Sequence, residues 1–352
     1  MGHDVVAAAC TASLASRGWT SDTQDAMALL GGSAHKVADS IFRRILAVPP
    51  LYDALHFSVL RTGSGLARAM DRAAAGRLVP VVEELLDRQK PDLVLSTFST
   101  GAGVVNHIKA RRPRLVSAVI CTDVTAHRLW VHPRTDLFLV TSEAAAASVR
   151  RFRPDAPVAL VPFPLRPGFY HPPTQAEARA TLGIPDDERC VLLMSGGWGL
   201  GPIARTARAL GDAEVNVLAV AGRNPALAAR LRAVSAEQPR VVSFGFTDRV
   251  AELMAACDLV VTSSGDTCSE ARALGRDMLL LDVVPGHGRE NLQHELELGR
   301  AGVTSADPEQ VVPAALAALD RVCRPGPGVS VDRRTWEEAF AAALDRLGFD
   351  GV

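Results

Sequence analysis

Short, largely apolar runs recur along this chain, most of them separated from the next by a helical stretch. In the second half they fall at 191–194, 215–220, 241–244, 259–261 and 278–283. Helical segments at 203–210, 225–237, 249–256, 268–274 and 292–298 separate or follow them. The first half shows the same runs at 93–96, 115–121 and 137–140. They follow an opening helix over 4–17 and a longer helical region over 37–89, broken at Pro49-Pro50 and around Gly63-Ser64-Gly65. A strand that is apolar at every position is buried on both faces, and parallel sheets with helices on each side provide that burial. The expected fold class is therefore α/β: two doubly wound, Rossmann-like domains facing a cleft, with ligands at the C-terminal ends of the strands.

The proline-rich stretch over 161–167 is stiff and extended, so it serves as the domain linker. It divides the chain into a first domain over 1–164, a second over 165–330 and a closing helix over 331–352 that packs back on the first. A doubly wound domain normally opens with a strand. This chain goes from Met1-Gly2-His3 straight into a helix, so the first strand and most of the first glycine loop are expected to be missing, either because the start is truncated or because the N-terminal sheet has lost a strand.

In mid-chain the run Leu192-Leu193-Met194 ends in Ser195-Gly196-Gly197-Trp198-Gly199-Leu200-Gly201-Pro202, and a helix follows. Backbone N–H groups at such a helix start can receive phosphate oxygens, and glycines let the phosphate approach. The loop has no Gly-Lys-Ser/Thr ending and does not follow G-x-G-x-x-G, so it is neither common nucleotide fingerprint. Taken alone, it is equally a turn without a ligand.

The net charge of −1 over 352 residues gives no reason to expect a nucleic-acid partner. Six scattered cysteines, with no C-x-x-C pair, read as buried free thiols in a reducing compartment rather than a zinc site. No signal peptide and no membrane-spanning run is apparent, which suggests a cytoplasmic protein, soluble or peripheral at the inner membrane face.

Four further segments carry chemistry. Thr122-Asp123-Val124-Thr125-Ala126-His127 follows a strand and offers a carboxylate and an imidazole; the alternative is Asp123 as a helix cap. His3, at the first helix start, suits a base or a phosphate contact. Phe244-Gly245-Phe246-Thr247-Asp248 can meet a nucleobase edge, or simply cap a helix through Thr247 or Asp248. In Ser263-Ser264-Gly265-Asp266-Thr267-Cys268-Ser269-Glu270, hydroxyls and N–H groups can meet phosphate. Glu270 is either a ribose ligand or, from spacing alone, the capping-box partner of Thr267. The loop from Asp282 through His287 and Arg289 to Asn291 can recognise sugar hydroxyls.

Together these segments resemble the GT-B glycosyltransferases of the MurG and monogalactosyldiacylglycerol synthase type, above all the diacylglycerol glycosyltransferases. Thr122-Asp123-x-x-x-His127-x-x-Trp130 is similar to the family's T-D-x-x-x-H-x-x-W, and Pro164-Leu165-Arg166-Pro167-Gly168-Phe169 to its P-I-R-P-x-F. Lys90-Pro91-Asp92, Pro49-x-Leu51-Tyr52-Asp53, Ser195-Gly196-Gly197-x-Gly199 and Gly245-Phe246-Thr247-Asp248 also match, in the family's order.

The resemblance implies a metal-independent, inverting transfer of a hexosyl group from a UDP-sugar to a lipid hydroxyl, with no cofactor beyond the nucleotide sugar. Ser195, Gly196, Gly197, Gly199, Ser264, Gly265 and Thr267 would hold the diphosphate, Phe246 the base and Glu270 the ribose. His287 and Asn291 would face the donor sugar. Asp123, His127 and His3 become candidates for deprotonating the acceptor. Tyr52 and Trp130 would line the acceptor side, with Arg43 and Arg44 toward an anionic membrane surface. Where the family reads P-G-Q-E-x-x-N, this chain has Pro285-Gly286-His287-Gly288-Arg289-Glu290-Asn291, a change that would suit another, acidic sugar. A soluble or natural-product acceptor, and an inactive nucleotide-sugar-binding homologue, are the alternatives.

Overall fold

The computed structural model describes residues 2–26, 28–30, 49–195, 201–321 and 333–349. Gly196, Gly197 and Gly199 of the mid-chain loop, Arg43 and Arg44, the helical region before Pro49, and Cys323 lie outside these residues. The chain divides into two compact units. The first holds Met1–Pro164, Pro285–His287 and Arg333–Val352; the second holds Leu165–Val284 and Gly288–Asp332.

The first unit opens with helix α1 (Gly2–Ser16). Helix α2 (Pro49–Leu55) begins on the Pro-Pro pair, whose rings fit a first helical turn. It runs into a π-helical turn over His56–Leu60. The glycines that break the pattern precede α3 (Gly65–Gln89), where Ser64 accepts a hydrogen bond from the Ala67 N–H as N-cap. Then come β1 (Leu93–Ser96), α4 (Ser99–Lys109), β2 (Val116–Cys121), β3 (Leu137–Val140), α5 (Glu143–Phe152) and β4 (Val158–Leu160). The four strands lie in the order β1-β2-β3-β4, all parallel. Among the described residues no strand precedes β1.

Alternate residues of each strand point to opposite faces, and both faces are covered. Ala118, Ile120, Leu137 and Leu139 pack on Val6 and Cys10 of α1 and on Trp336 and Phe340 of the closing helix (Arg333–Asp345). Val119, Cys121, Phe138 and Val140 pack on Trp130 and on Ala145 and Val149 of α5. Double-sided burial is the reason these strands are mostly apolar.

The second unit contains α6 (Gln175–Leu182), β5 (Cys190–Met194), α7 (Ile203–Asp212), β6 (Asn216–Val220), α8 (Pro225–Glu237), β7 (Val241–Phe244), α9 (Val250–Ala256), β8 (Leu259–Ser263), α10 (Asp266–Ala273), β9 (Asp277–Leu281), α11 (His287–Glu297, first residue in the first unit), β10 (Ala301–Thr304) and α12 (Pro308–Arg321). Its parallel sheet has the order β10-β9-β8-β5-β6-β7. The strand order reverses between β5 and β8, and the crevice beyond the carboxyl ends of such a pair is where doubly wound sheets bind ligands. Leu193 pairs with Val261. Two residues further on, Ser195 and Ser263 therefore end neighbouring strands at the same level.

Five described cysteines, at 10, 121, 190, 257 and 268, are free and buried. Burial pushes the Cys257 thiol up to about 11. No helix among the described residues is long and apolar enough to cross a membrane.

Candidate active site

In the first unit, the C-terminal ends of β1 and β2 meet the start of α1. His3 Nδ1 lies 2.7 Å from the Thr97 carbonyl oxygen and 3.3 Å from Thr122 Oγ1. A carbonyl only accepts, so Nδ1 carries the proton and Nε2 is left with its lone pair. The His3 ring is braced edge-on by Phe98, centroids 4.9 Å apart. Burial lowers its basicity below the ordinary value of 6.5, against the opposing pull of Asp123, so the imidazole is neutral at neutral pH.

Asp123 stands on the loop after β2. That loop forms no helix, so Asp123 caps none; Asp123 Oδ2 instead accepts from the Trp130 indole N–H at 2.7 Å. His127 Nδ1 accepts from the Leu129 N–H at 3.3 Å, which leaves the proton on Nε2, and Nε2 lies 3.9 Å from Asp123 Oδ2. Burial by itself would push the Asp123 carboxyl up. The charges of His287 and His127, the Trp130 bond and His3 outweigh it and hold the carboxyl below its ordinary range. One neutral imidazole with a free ring lone pair therefore sits beside an ionised carboxylate that orients a second imidazole. Among the described residues no His, Cys, Asp and Glu side chains are grouped to hold a metal ion.

Two more histidines adjoin this group. His56, buried in the π-helical turn, has its ring centroid 6.1 Å from that of His127. His287, expected among the donor-sugar residues, lies in the first unit with its Nδ1 3.1 Å from the Tyr52 hydroxyl. Tyr52 and Trp130, expected on the acceptor side, are both in this cluster, and both are buried. A lone His56 in a helical stretch carries no signal of its own, so sequence reasoning passed over it.

The second unit brings together a different set. The Ser264 hydroxyl donates to the Gly288 carbonyl at 2.6 Å, so its proton is already committed. An anion at this loop can still be met by backbone N–H groups at the start of α10, where Gly265 is the N-cap, and by the Thr267 hydroxyl in its first turn. The capping box expected from Thr267 and Glu270 does not form. The Glu270 carboxylate instead accepts two bonds from Arg166, Nε to Oε1 at 2.6 Å and Nη2 to Oε2 at 2.7 Å. Burial pushes the Glu270 carboxyl above its ordinary range, and Arg166 opposes that. Arg166 was visible in the Pro-Leu-Arg-Pro-Gly-Phe segment but suggested no role there, because its partner is 104 residues away.

Phe246 is 61% exposed, with the Arg223 guanidinium 4.9 Å above its ring. Neither Thr247 nor Asp248 caps α9. The cap is Arg249, whose N–H donates to Thr247 Oγ1 at 3.1 Å. Ser195 is buried at the end of β5, and its hydroxyl has no hydrogen-bond partner among the described residues. Asn291 lies within α11.

His3 gives a stability signature. Its proton affinity is depressed in the folded state, so between that depressed value and 6.5 the unfolded chain binds more protons. Stability contributed by neutral His3 is complete above 6.5 and is lost as pH falls through the folded value. The melting temperature of wild type should drop between pH 7 and pH 5, and His3→Gln should flatten that slope. Parallel slopes in the two proteins would show that His3 is not buried as a neutral ring.

Residues 3–153 match the family described as monogalactosyldiacylglycerol (MGDG) synthase. A probable chloroplastic monogalactosyldiacylglycerol synthase of Glycine max is 31% identical over 256 residues, covering 68% of this chain and 48% of that protein. The chain spans about half the length of the curated relatives it matches. Among solved structures, the S. aureus MnaA–UDP complex is similar with a TM-score of 0.58 at 12% identity, covering 79% of this chain and 81% of that one. Sucrose-phosphate synthase from Thermosynechococcus elongatus gives 0.52 at 19% identity, with 78% and 77% covered. At such identities the structures speak for the fold alone. The fold and the paired parallel sheets are those of the GT-B glycosyltransferases. Within that class, the chain is similar to the monogalactosyldiacylglycerol synthases.

Proposed function

We propose that this protein transfers a hexosyl group from a UDP-linked sugar to the hydroxyl of a diacylglycerol-type lipid, with inversion at the anomeric carbon and without a metal ion. The observation that carries the proposal is the 2.7 Å contact between His3 Nδ1 and the Thr97 carbonyl oxygen, which assigns the proton to Nδ1 and leaves Nε2 as the basic atom. In the reaction the acceptor oxygen forms a bond to the anomeric carbon, its proton passes to His3 Nε2, and the bond to UDP breaks. General-base help of this kind is worth roughly 10²–10⁴-fold. Asp123 and His127 orient the acceptor. The departing diphosphate is met by N–H groups at the start of α10 and by the mid-chain loop, in place of a metal.

The name of the Glycine max relative supports a diacylglycerol-type acceptor, and the UDP in the S. aureus complex supports the nucleotide. For contact with a membrane, Leu51 on α2 and Leu66 and Met70 on α3 are exposed, and Arg68 and Arg72 stand exposed on the same helix as the latter pair. The deciding experiment incubates purified protein with UDP-galactose, UDP-glucose or UDP-glucuronic acid and diacylglycerol vesicles, with and without EDTA. Product with the anomeric configuration inverted, in equal yield with EDTA, is expected. Activity that EDTA abolishes would overturn the metal-free reading.

The donor half is probed separately. Each Glu270 oxygen keeps lone-pair capacity beyond Arg166, enough to accept from a ribose diol. Glu270→Ala should weaken UDP binding about tenfold, the loss of a hydrogen bond to a charged group. Calorimetry that gives the wild-type affinity would remove Glu270 from the nucleotide site.

A further inference from the structure

His287 reaches the first unit on a three-residue turn, Pro285–His287, although the residues on either side of the turn belong to the second. Three contacts seat the turn, all on α2 and the π-helical turn after it. The Gly286 N–H donates to Asp53 Oδ1 at 2.7 Å. Gly286 has a φ of +63°, and a Cβ added there would stand 2.4 Å from Tyr52 Cε1 and 2.9 Å from His56 Cβ. Only glycine tolerates both that backbone and that approach. Finally, the Tyr52 hydroxyl lies 3.1 Å from His287 Nδ1, and the Tyr52 and His56 rings stand 6.0 and 6.1 Å from the His287 ring. A donated N–H, a glycine-only approach and a ring held by a hydroxyl together fix one side chain in place. That side chain is the largest of the charges that favour ionised Asp123.

We propose that His287 is a positioning residue of the Asp123 site, docked there by Tyr52 and Asp53, and not a ligand of the transferred sugar. This deepens the transferase reading and rests on it for its catalytic meaning. The groups that act on Asp123 come from every element around it: His3 from α1, Tyr52 from α2, Cys121 from the end of β2, His127 and Trp130 from its own loop, and His287 from the turn. The His56 ring centroid lies 6.1 Å from those of both His127 and His287. Of these groups only His287 is delivered by a segment whose chain neighbours lie in the other unit.

A single resonance tests the proposal. The Trp130 indole N–H donates to Asp123 Oδ2, so its proton–nitrogen signal reports whether that carboxylate is ionised. The signal is assigned with Trp130→Phe and followed in the full chain as pH is lowered. In His287→Gln its midpoint should rise, because an opposing charge has been removed. Tyr52→Phe, which frees the ring, should shift it the same way and less. If His287→Gln does not fold, His287→Asn, which keeps an acceptor for Tyr52, carries the same expectation. A midpoint unmoved in the folded His287 variant overturns the proposal.

Kinetics add a second reading. With turnover measured, kcat should fall roughly tenfold to a hundredfold, the scale of a misplaced reacting group, while KM for the nucleotide sugar stays at its wild-type value. A raised donor KM at unchanged kcat would instead make His287 a sugar ligand and overturn the proposal. Should wild type transfer no sugar at all, the transferase reading fails while the resonance still decides the place of His287.

Discussion

His3→Asn lowers turnover by about 10²–10⁴-fold and leaves UDP affinity at the wild-type value. Asparagine can still donate to the Thr97 carbonyl, as His3 Nδ1 does at 2.7 Å, so the local fold is retained. What is lost is the basic nitrogen. Wild-type kcat/KM should have an acid limb below 6.5, because burial depresses the proton affinity of His3 and the protonated ring cannot accept the acceptor's proton. In His3→Asn that limb should vanish along with most of the rate. His127→Ala offers the contrast. Its Nε2 carries the proton that faces Asp123, so it orients rather than accepts, and its loss should cost less. Were His127→Ala the slower variant, with the acid limb intact in His3→Asn, the two roles would be exchanged.

The fold was legible because its interior strands are buried on both faces. β2 contributes Ala118 and Ile120 to one layer and Val119 and Cys121 to the other, and its one polar residue, Ser117, is hydrogen-bonded to Lys109 and Asp136. The two edge strands the sequence hid, Val158–Leu160 and Ala301–Thr304, are short, and their outer positions are half exposed or exposed. Neither shows a long apolar run, because an edge does not require one. In the site, Asp123, His127 and Trp130 were readable together because they share one loop and their contacts are local.

His287 was not readable in the same way. It follows β9 in sequence, as donor-sugar residues in that loop would, yet its place is set by Tyr52, 235 residues away. The same holds for Glu270. Its spacing from Thr267 satisfies the capping-box rule, but the bidentate reach of Arg166 decides where the carboxylate goes. Local rules described what each side chain does when no distant partner competes, and both exceptions are ionisable groups with a partner from another part of the chain.

Trp130 joins core and chemistry in one residue, and two substitutions separate its roles. It is 1% exposed, its ring packs with Val119, Phe138 and Val140, and its indole N–H is the donor at 2.7 Å to Asp123. Trp130→Ala should cost the first unit about 3–5 kcal/mol, the usual loss when a large aromatic leaves a cavity in a packed core. Trp130→Phe keeps most of the ring volume and removes only the N–H. Its stability loss should be about 1.5–3 kcal/mol, the range for a hydrogen bond to a charged group. Asp123 then keeps the burial that pushes its carboxyl up and loses one of the groups that hold it down, so the carboxyl titrates at a higher pH. Denaturant unfolding followed by circular dichroism gives the first quantity, and the pH dependence of turnover gives the second. An oriented carboxylate predicts that Trp130→Phe loses more activity than its stability loss accounts for, measured where the variant is fully folded. If folded Trp130→Phe turns over like wild type, the indole serves the core alone, and His127 must hold Asp123 without it.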